Sequence, residues 1–460
     1  MKLMKAGFDL SKILVLISAI IWLWLVHKES AWEKNSVIQN DVIGYYSYLP
    51  ATFIYKDLTF KFKKNLPKDF PGKIWGKKLP SKDGYVQKMT MGVSILYSPF
   101  FFIAHQHAKL MGYDANGYTE PYSRWLVYSA IFYALMAMIL IRSLLLKYFD
   151  QITTSLTLII LFFGTNLYYY SIYRGAVSHV YSMFLISAFI WITIKWHEKP
   201  KLTTSILLGL TGGLITLIRP TNAIVFIFPI LYQVYNKQSL NDKLSLMIKN
   251  WGKLLVVLIM SFLVVSILLI YWKVITDQWL YFSYGDEGFF FLNPHVINGL
   301  FSFRKGWLIY TPLMALAIIG IPILFKKLKD FALPISIFFF LNIWVIFSWW
   351  TWWYGASFSS RPMIDSYPIL AIPLALIVSY LLKKKWMAII SIGIIVFFVR
   401  LNIFQTNQYR STLLHYDSMT KEAYWAIWNR NHFPEDYSKL IQEPDYNSAL
   451  KGEKEKLKNN

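Results

Sequence analysis

The sequence predicts an all-α, polytopic membrane protein with about eleven transmembrane helices. The chain has 460 residues, of which 56% are hydrophobic, 18% are aromatic and only 16% are charged. A soluble domain carries roughly 25% charged residues. The apolar residues are also grouped in runs of about 17–25, the length that a helix needs to cross the hydrocarbon of a bilayer.

Each predicted span is an apolar run bounded by polar or basic residues. The spans are 11–27, 124–147, 152–173, 176–195, 202–218, 220–235, 252–275, 306–325, 331–350, 364–382 and 386–404. The first span follows basic residues and has no clear small-residue cleavage site after it, which indicates an uncleaved signal anchor. The segment MGVSILYSPFFFIAHQHAKLM (91–111) is a further apolar stretch.

The charges of the loops predict the topology. With a cytoplasmic N-terminus and a non-crossing 91–111 segment, every short loop that carries a Lys cluster lies in the cytoplasm, as the positive-inside rule requires. These basic residues are Arg142, Lys147, Lys195, Lys199, Lys201, Lys237, Lys243, Lys249, Lys253, Lys326, Lys327, Lys329, Lys383, Lys384 and Lys385. If 91–111 crossed, every later cluster would move outside. We therefore predict an interfacial or re-entrant helix there, with Pro99, His105 and His107 as polar breaks.

The predicted organisation is a transmembrane domain over 1–404 followed by a short extracytoplasmic tail over 405–460. The first extracytoplasmic loop spans 28–123 and carries interfacial helices, and the tail segment KEAYWAIW is predicted to lie on the membrane surface. The net charge is +22, but much of the Lys is explained by topology, so nucleic acid is not a predicted partner. Cysteine is absent, which excludes disulfides and thiolate metal sites.

Arginine follows a different distribution from lysine. The chain has nine Arg, and only Arg142 falls in a predicted cytoplasmic loop. The other eight lie outside or at the outer ends of spans: Arg124, Arg174, Arg219, Arg304, Arg361, Arg400, Arg410 and Arg430. A Lys side chain is sufficient to set the topology of a loop, whereas the Arg guanidinium can also form two parallel hydrogen bonds to a phosphate or carboxylate. This distribution favours an anion-binding site near the outer surface of the membrane.

The stretch NDVIGYYSYLPA follows the first span and places an acid before a group of tyrosines. In a functional interpretation, Asp41 is a general base, or a metal or sugar ligand, and Tyr45, Tyr46 and Tyr48 line its cleft. In the alternative, Asn40 or Asp41 caps an interfacial helix and the tyrosines belong to the aromatic belt of the membrane interface. Asp57 is equally well explained as a solvated loop acid.

Two further stretches place Arg at predicted outer turns. LIRPTNAIV carries Arg219 between two short apolar segments, and YRGAVSHVYSM carries Arg174, Ser178 and His179 at the start of a span. A membrane-edge Arg is costly unless it is paired or functional. The alternatives are that Arg219 snorkels from a turn to the interface and that His179 is an ordinary buried polar residue.

The stretch FSWWTWWYGASFSSRPMIDSYP combines aromatic residues, Gly and Ser with an Arg and an Asp. Trp353 and Tyr354 offer faces for the C–H surfaces of a sugar, and Arg361 offers a fork for a phosphate. The aromatic belt also explains the Trp residues, and Arg361 and Asp365 are spaced to pair with each other.

The loop GYDANGYTEPYSR has alternating acids but lacks the glycine placement and terminal Glu of a calcium loop. It contributes one candidate substrate acid, Glu120.

In the order of these features the chain resembles the GT-C superfamily of integral-membrane glycosyltransferases. The closer comparison is with the protein O-mannosyltransferases and the lipid A aminoarabinose transferases. The similarity covers about residues 10–400 and depends on the first outer loop opening with an Asp, on GVSILYSPFFFIAHQHAKLMG, on SRWLVYSAIFYALMAMILIRSLLLKYF, on GLTGGLITLIRPTNAIV and on WWTWWYGASFSSRPMIDSYP. The chain departs from the pattern at YSPFFF, where a Lys-Pro-Pro-type motif is common in those proteins.

The resemblance implies a glycosyltransferase of the cell envelope, set in a bacterial inner (plasma) membrane. Its donor would be a sugar on a polyprenyl phosphate, and its acceptor an extracytoplasmic lipid, glycan or protein. Asp41 would then be the general base, and Arg219, Arg361, Arg174 and Arg304 would bind the departing phosphate. No cofactor is required, although a divalent metal is compatible with this chemistry.

Three other classes of protein remain as alternatives. A lipid-linked glycan ligase or polymerase would not need an Asp in the first loop. A flippase is expected to carry charges within several spans, and here mid-span charge is nearly absent. A non-enzymatic membrane assembly protein would not need the outer Arg set.

Overall fold

The protein is predominantly helical in a computed structural model, which describes residues 9–33, 37–66, 74, 76–79 and 83–453. The α-helices are α1 (Leu10–Lys28), α2 (Asp41–Tyr46), α3 (Tyr48–Phe53), α4 (Gly92–Leu110), α5 (Glu120–Leu145), α6 (Gln151–Phe163), α7 (Leu167–Ile172), α8 (Ser178–Glu198), α9 (Leu202–Ile218), α10 (Ile227–Leu231), α11 (Lys237–Lys249), α12 (Trp251–Thr276), α13 (Val296–Phe301), α14 (Trp307–Tyr310), α15 (Ala315–Lys327), α16 (Lys329–Phe347), α17 (Tyr367–Leu381), α18 (Lys385–Arg410), α19 (Lys421–Ala426), α20 (Tyr437–Leu440) and α21 (Tyr446–Leu450). Short 3₁₀ helices span Lys61–Asn65, Pro220–Phe226, Pro312–Met314 and Arg361–Ser366. One antiparallel hairpin joins β1 (Gly76–Lys78) to β2 (Tyr85–Gln87).

Seven helices in the described part of the chain are long and apolar enough to cross a membrane. They span Leu10–Lys28, Glu120–Leu145, Ser178–Glu198, Trp251–Thr276, Lys329–Phe347, Arg361–Leu381 and Lys385–Arg410. Gln151–Phe163, Leu202–Ile218 and Pro220–Leu231 are apolar but shorter. The prediction of a helical membrane protein is confirmed at this level, and the count of eleven spans stays a prediction.

The chain folds into two compact units that each draw on separate stretches of sequence. The first unit comprises Met1–Trp24, Leu135–Tyr169 and Phe291–Asn460, and the second comprises Leu25–Ala134 and Tyr170–Phe290. The predicted outer loop, with α2, α3, the β1–β2 hairpin and α4, therefore belongs to the second unit. The C-terminal tail belongs to the first.

The predicted span 152–173 is wrong as a single helix, because the chain turns between α6 and α7. Gly164 ends α6, and Thr165 donates its hydroxyl to the carbonyl of Leu161 at 2.6 Å. Asn166 is buried and donates its side-chain amide to the carbonyls of Phe358 and Ser360, both at 3.3 Å. These bonds tie the interruption to another part of the first unit.

The prediction that Pro99, His105 and His107 interrupt the 91–111 helix is wrong, because α4 runs through all three residues without a break. Pro99 has no N–H to donate to the carbonyl of Ile95, one turn earlier. The hydroxyl of Ser98 donates to that carbonyl at 2.7 Å, so the group is satisfied and the helix continues to Leu110.

Close helix packing in the second unit depends on glycine. A β-carbon on Gly209 or Gly213 would lie 2.6 or 2.7 Å from a backbone oxygen of α12, on Val257 and Ser261 respectively. The two helix backbones can approach this closely because neither position of α9 has a side chain. Ser261 also donates its hydroxyl to the carbonyl of Gly209 at 3.0 Å.

The same kind of contact joins α15 and α17 in the first unit and gives a matched test of the packing. A β-carbon on Gly320 would collide with the carbonyl oxygen of Pro373 and lie 2.7 Å from its carbon, whereas one on Gly393 of α18 meets nothing within 4 Å. We expect Gly320→Ala to lower the free energy of unfolding by about 1–3 kcal/mol, the usual cost of overpacking. Gly393→Ala is expected to change it by less than about 1 kcal/mol. Thermal unfolding of both purified variants in detergent checks this, and equal stability of the two would contradict the packing argument.

The C-terminal tail is a folded part of the first unit. Helix α18 ends at Arg410 rather than at the predicted 404. Gln405 and Gln408 of α18 then hold the tail through hydrogen bonds of 2.8 Å to Tyr424 and to the carbonyl of Ile427. In the KEAYWAIW segment, Tyr424 is buried, whereas Trp425 and Trp428 are 53% and 36% exposed, so two aromatic residues remain available for the predicted membrane surface.

Candidate functional site

Asp41 is the first residue of α2 in the second unit and is partly exposed. The preceding Asn40 adopts a φ of 50° and makes no side-chain hydrogen bond to the end of the helix. The capping interpretation therefore fails for Asn40. The side chain of Asp41 lies on the same face of α2 as Gly44, three residues later.

The three tyrosines after Asp41 face different surroundings. Tyr45 donates its hydroxyl to Ser178 at 3.4 Å. Tyr46 is fully buried and donates to the carbonyl of Gly117 at 2.5 Å, and Tyr48 donates to the carbonyl of Met89 at 2.8 Å. All three tyrosines are buried, and Tyr45 differs in contacting the start of α8, so its role in lining a cleft stays a prediction.

Arg219 is held at the break between α9 and the 3₁₀ helix that follows. Proline disfavours the helical conformation in the residue before it, and Arg219, before Pro220, is extended with φ −147° and ψ 110°. One guanidinium nitrogen lies 3.2 and 3.3 Å from the two ring nitrogens of His179. The side chain thus lies against the start of α8, and its charge also suits the C-terminal end of the α9 dipole.

Tyr284, in the segment after α12, identifies which of these groups lie together. Burial raises the pKa of the Tyr284 phenol, and nearby Tyr45 raises it further. Arg219 lowers the pKa of this phenol, whereas Asp41 and Glu287 raise it. Contacts link these groups as well, because Tyr45 bonds to Ser178, the neighbour of the His179 that Arg219 contacts. We call Asp41, Tyr45, His179, Arg219, Tyr284 and Glu287 the Asp41–Arg219 cluster.

Lys88 connects the β1–β2 hairpin to this cluster. Its ammonium forms an ion pair with Glu287 and lies 5.2 Å from the centre of the Tyr284 ring. The carbonyl of Lys88 accepts a hydrogen bond from Ser283 at 2.7 Å. Sequence reasoning missed Tyr284, Glu287 and Lys88. The two polar segments are nearly 200 residues apart in the chain, and neither carries a recognisable motif.

Arg174 lies at a neighbouring cleft in the second unit. This cleft has a volume of only about 20 Å³ and is lined by Arg174 together with Val42, Val37, Val177 and Tyr173, among other residues. Val42 is the neighbour of Asp41 in α2, so the cleft and the cluster share that helix. Arg174 is the one charged residue among those that line this cleft.

Two acids of the second unit have structural partners outside the cluster. Glu120 accepts a hydrogen bond from Arg124 at 2.7 Å, and that guanidinium lies over the ring of Trp32. Asp57 accepts hydrogen bonds from the backbone of Thr59 at 2.9 Å and of Phe62 at 3.1 Å. Burial raises the pKa of the Asp57 carboxyl, but these hydrogen bonds outweigh it and hold the pKa below its ordinary value. Asp57 is thus a turn-forming acid.

The first unit holds the other predicted binding residues, beginning with a buried pair of cations. Arg304 is 1% exposed, donates to the carbonyl of Gln442 at 3.3 Å and lies 5.6 Å from the ring of Trp353. Burial is the main effect that lowers the pKa of Lys305, to about 7, with Asp417 opposing this shift and Arg304 adding to it.

The aromatic stretch of the first unit is largely covered by the tail. Trp353 is 1% exposed and packs with Trp352 and Ala449 in one apolar cluster, while the Tyr446 ring lies edge-on at 5.6 Å. Tyr354 has a φ of 56° and donates its hydroxyl to the carbonyl of Ile346 at 2.7 Å. This packing gives no support to Trp353 as a sugar-stacking face.

Arg361 begins the 3₁₀ helix before α17 and is partly exposed, whereas Asp365 is 2% exposed. The turn before Arg361 is held by Asn166, whose oxygen accepts from Tyr367 at 2.6 Å. Sequence reasoning missed Asn166 because nothing near it in the chain indicates a partner so distant. The roles of Arg361 and Arg304 in binding an anion stay predictions.

No group of three or more His, Asp or Glu side chains in the described residues is arranged to hold a metal ion. No protein-family model matches the chain, and no curated protein shows significant similarity to it. What the chain does must therefore be inferred from its own residues.

Proposed function

We propose that the protein is a membrane glycosyltransferase that moves a sugar from a polyprenyl-phosphate donor to a hydroxyl acceptor outside the cytoplasm. The observation that carries the proposal is that α2, which begins with Asp41, and Arg219 meet at the start of α8: Tyr45 of α2 bonds to Ser178, and the Arg219 guanidinium lies 3.2 Å from the ring of the next residue, His179. One group can accept a proton and the other can stabilise a phosphate. Glycosyl transfer to a hydroxyl needs both, close together.

In this proposal Asp41 removes the proton of the acceptor hydroxyl as the new glycosidic bond forms. Arg219 binds the phosphate that leaves with the prenyl chain, and His179, against its guanidinium, fixes its orientation. Arg174, at the small cleft that borders α2, is proposed to bind the same phosphate. The resemblance to GT-C enzymes agrees with this assignment, which otherwise depends only on the geometry of the second unit.

The proposed topology has a cytoplasmic N-terminus and a non-crossing α4, and one ion pair in the first unit supports the second of these. Arg142 donates to Asp9 at 2.5 Å and to Ser11 at 2.7 Å. Asp9 precedes α1 and Arg142 lies near the end of α5. Two antiparallel crossings bring these ends together, whereas a third full crossing by α4 would separate them. The contact also gives a reason for the single Arg among the predicted cytoplasmic lysines.

The topology predicts the side on which the C-terminus lies. Alkaline phosphatase fused after Asn460 is expected to be active in a bacterial host, and a green fluorescent protein fusion is expected to be dark, because the tail would be outside the plasma membrane. The same reporters fused after Leu145 should give the reverse result. A C-terminal fusion that fluoresces and lacks phosphatase activity would contradict both the topology and the non-crossing position of α4.

The direct test of function uses purified protein in liposomes with a labelled polyprenyl-phosphate sugar. Consumption of the donor with release of polyprenyl phosphate supports a glycosyltransferase. Movement of intact donor between leaflets without consumption would instead support a flippase. Neither process, with several donors and a mixed acceptor extract, would favour an assembly protein.

A further inference from the structure

Gln87, the last residue of β2, is a buried amide whose side chain has no hydrogen-bond partner. It is 1% exposed, and among the described residues nothing bonds to its Nε2 or its Oε1. Its backbone is firmly placed, because it pairs with Gly76 across the hairpin and its N–H donates to the Tyr271 hydroxyl at 3.4 Å. Buried polar groups in folded proteins are nearly always hydrogen-bonded, so a buried amide of this kind points to a ligand.

The amide lies against the face of α2 that carries Asp41. A β-carbon on Gly44 would be 4.0 Å from Gln87 Oε1 and only 2.8 Å from Met89 Cγ. Gly44 is one helical turn after Asp41, and residues three apart share a face of a helix. The absence of a side chain at Gly44 lets the 87–89 segment approach this face.

The residue after Gln87, Lys88, contacts the Asp41–Arg219 cluster. Lys88 is paired with Glu287 and lies beside the Tyr284 ring, and both of those residues belong to the Asp41–Arg219 cluster. The chain on one side of Gln87 is thus tied to the cluster, and the helix it faces carries the proposed base. The amide therefore lies between a segment tied to the cluster and the helix that carries the proposed base.

We infer that the Gln87 carboxamide binds a hydroxyl of the donor sugar beside Asp41, an inference that rests on the proposed function. A carboxamide offers two N–H donors and one acceptor oxygen, and a hydroxyl is both donor and acceptor, so the two are complementary. A phosphate is less suitable, since it only accepts and would repel Oε1. A prenyl chain would leave the amide unsatisfied.

The test compares two lipids on the full-length protein in detergent. Polyprenyl phosphate without sugar and the same lipid carrying glucose or mannose are titrated against wild type, Gln87→Met and the exposed-site control Gln278→Met, with thermal stabilisation as the readout. We expect the wild type and the control to bind a sugar-bearing lipid more tightly than the bare lipid. Gln87→Met should lose this preference, with roughly tenfold weaker binding of the sugar lipid and unchanged binding of the bare lipid.

Each other result has a distinct meaning. If Gln87→Met keeps the preference for sugar, the subsite is wrong and the proposed function is unaffected. If Gln87→Met unfolds at a clearly lower temperature without any lipid, the amide is structural and the inference is also wrong, because an isosteric apolar replacement of an unsatisfied amide should be neutral or stabilising. If the wild type prefers none of the sugar lipids, the proposed function fails and the inference fails with it.

Discussion

Asp41→Asn is expected to lower the rate of sugar transfer by roughly 10²–10⁴-fold, the usual loss when a general base is removed. Asn keeps the shape of the side chain and caps helices about as well as Asp, so α2 should form normally. What is lost is the carboxylate that acts on Tyr284. The measurement is the transfer rate at matched abundance of protein in the membrane.

Asp57→Asn is the control for this substitution, because Asp57 lies in the same predicted loop and holds a turn through Thr59 and Phe62. We expect it to lower thermal stability and to leave the rate of the folded protein within a few-fold. A near-wild-type rate for Asp41→Asn would mean that Asp41 is not a general base and only begins α2. An equal loss in both variants would mean that the loop needs its acids collectively.

Arg219→Ala is expected to weaken use of the donor by roughly 10–150-fold, which corresponds to the loss of a charge-assisted hydrogen bond of about 1.5–3 kcal/mol. Arg219→Lys keeps the positive charge but loses the paired hydrogen bonds that a guanidinium makes to a phosphate. Its effect should therefore be smaller and should also appear chiefly in the donor KM. Both are measured in liposomes over a range of donor concentrations. The contact with His179 would be weakened in each case.

Arg430→Ala is the matched control, since Arg430 is an exposed arginine on the same predicted side of the membrane. It is expected to behave as wild type. If Arg219→Ala turns over normally, the assignment to the donor phosphate is wrong. If Arg219→Ala lowers only the abundance of the protein and leaves the donor KM unchanged, Arg219 stabilises the C-terminal end of α9 instead.

Several helices were predictable from the sequence to within a residue or a few. The Leu202–Ile218 helix ends where predicted, because Pro220 excludes Arg219 from the helical conformation, and α1, α12 and α16 follow their apolar runs closely. The predicted spans 152–173 and 306–325 are interrupted instead. In the first of these, the apolar composition does not show that Asn166 bonds to a turn almost two hundred residues later in the chain.

The candidate site was predictable only in part. Asp41, Arg219 and His179 were identified from their residue types at predicted loop positions, and the structure places them in one unit, where Arg219 lies 3.2 Å from the His179 ring. Trp353 and Tyr46 were identified by the same reasoning, yet they are buried in packing contacts. A local pattern shows that a Tyr or Trp is present, but it does not show which way the side chain points.

The sequence by itself determined that this is a helical membrane protein, because long apolar runs fit a bilayer only as helices that satisfy their own backbone hydrogen bonds. It also determined where several helices end, since proline acts on its immediate neighbours. Only the tertiary structure decided that Tyr45 joins the Asp41–Arg219 cluster while Tyr46 enters the core. It likewise brought Gln87 against Gly44 and Glu287 against Lys88. Those contacts depend on side-chain direction and on segments far apart in the chain, and neither is encoded in a local pattern.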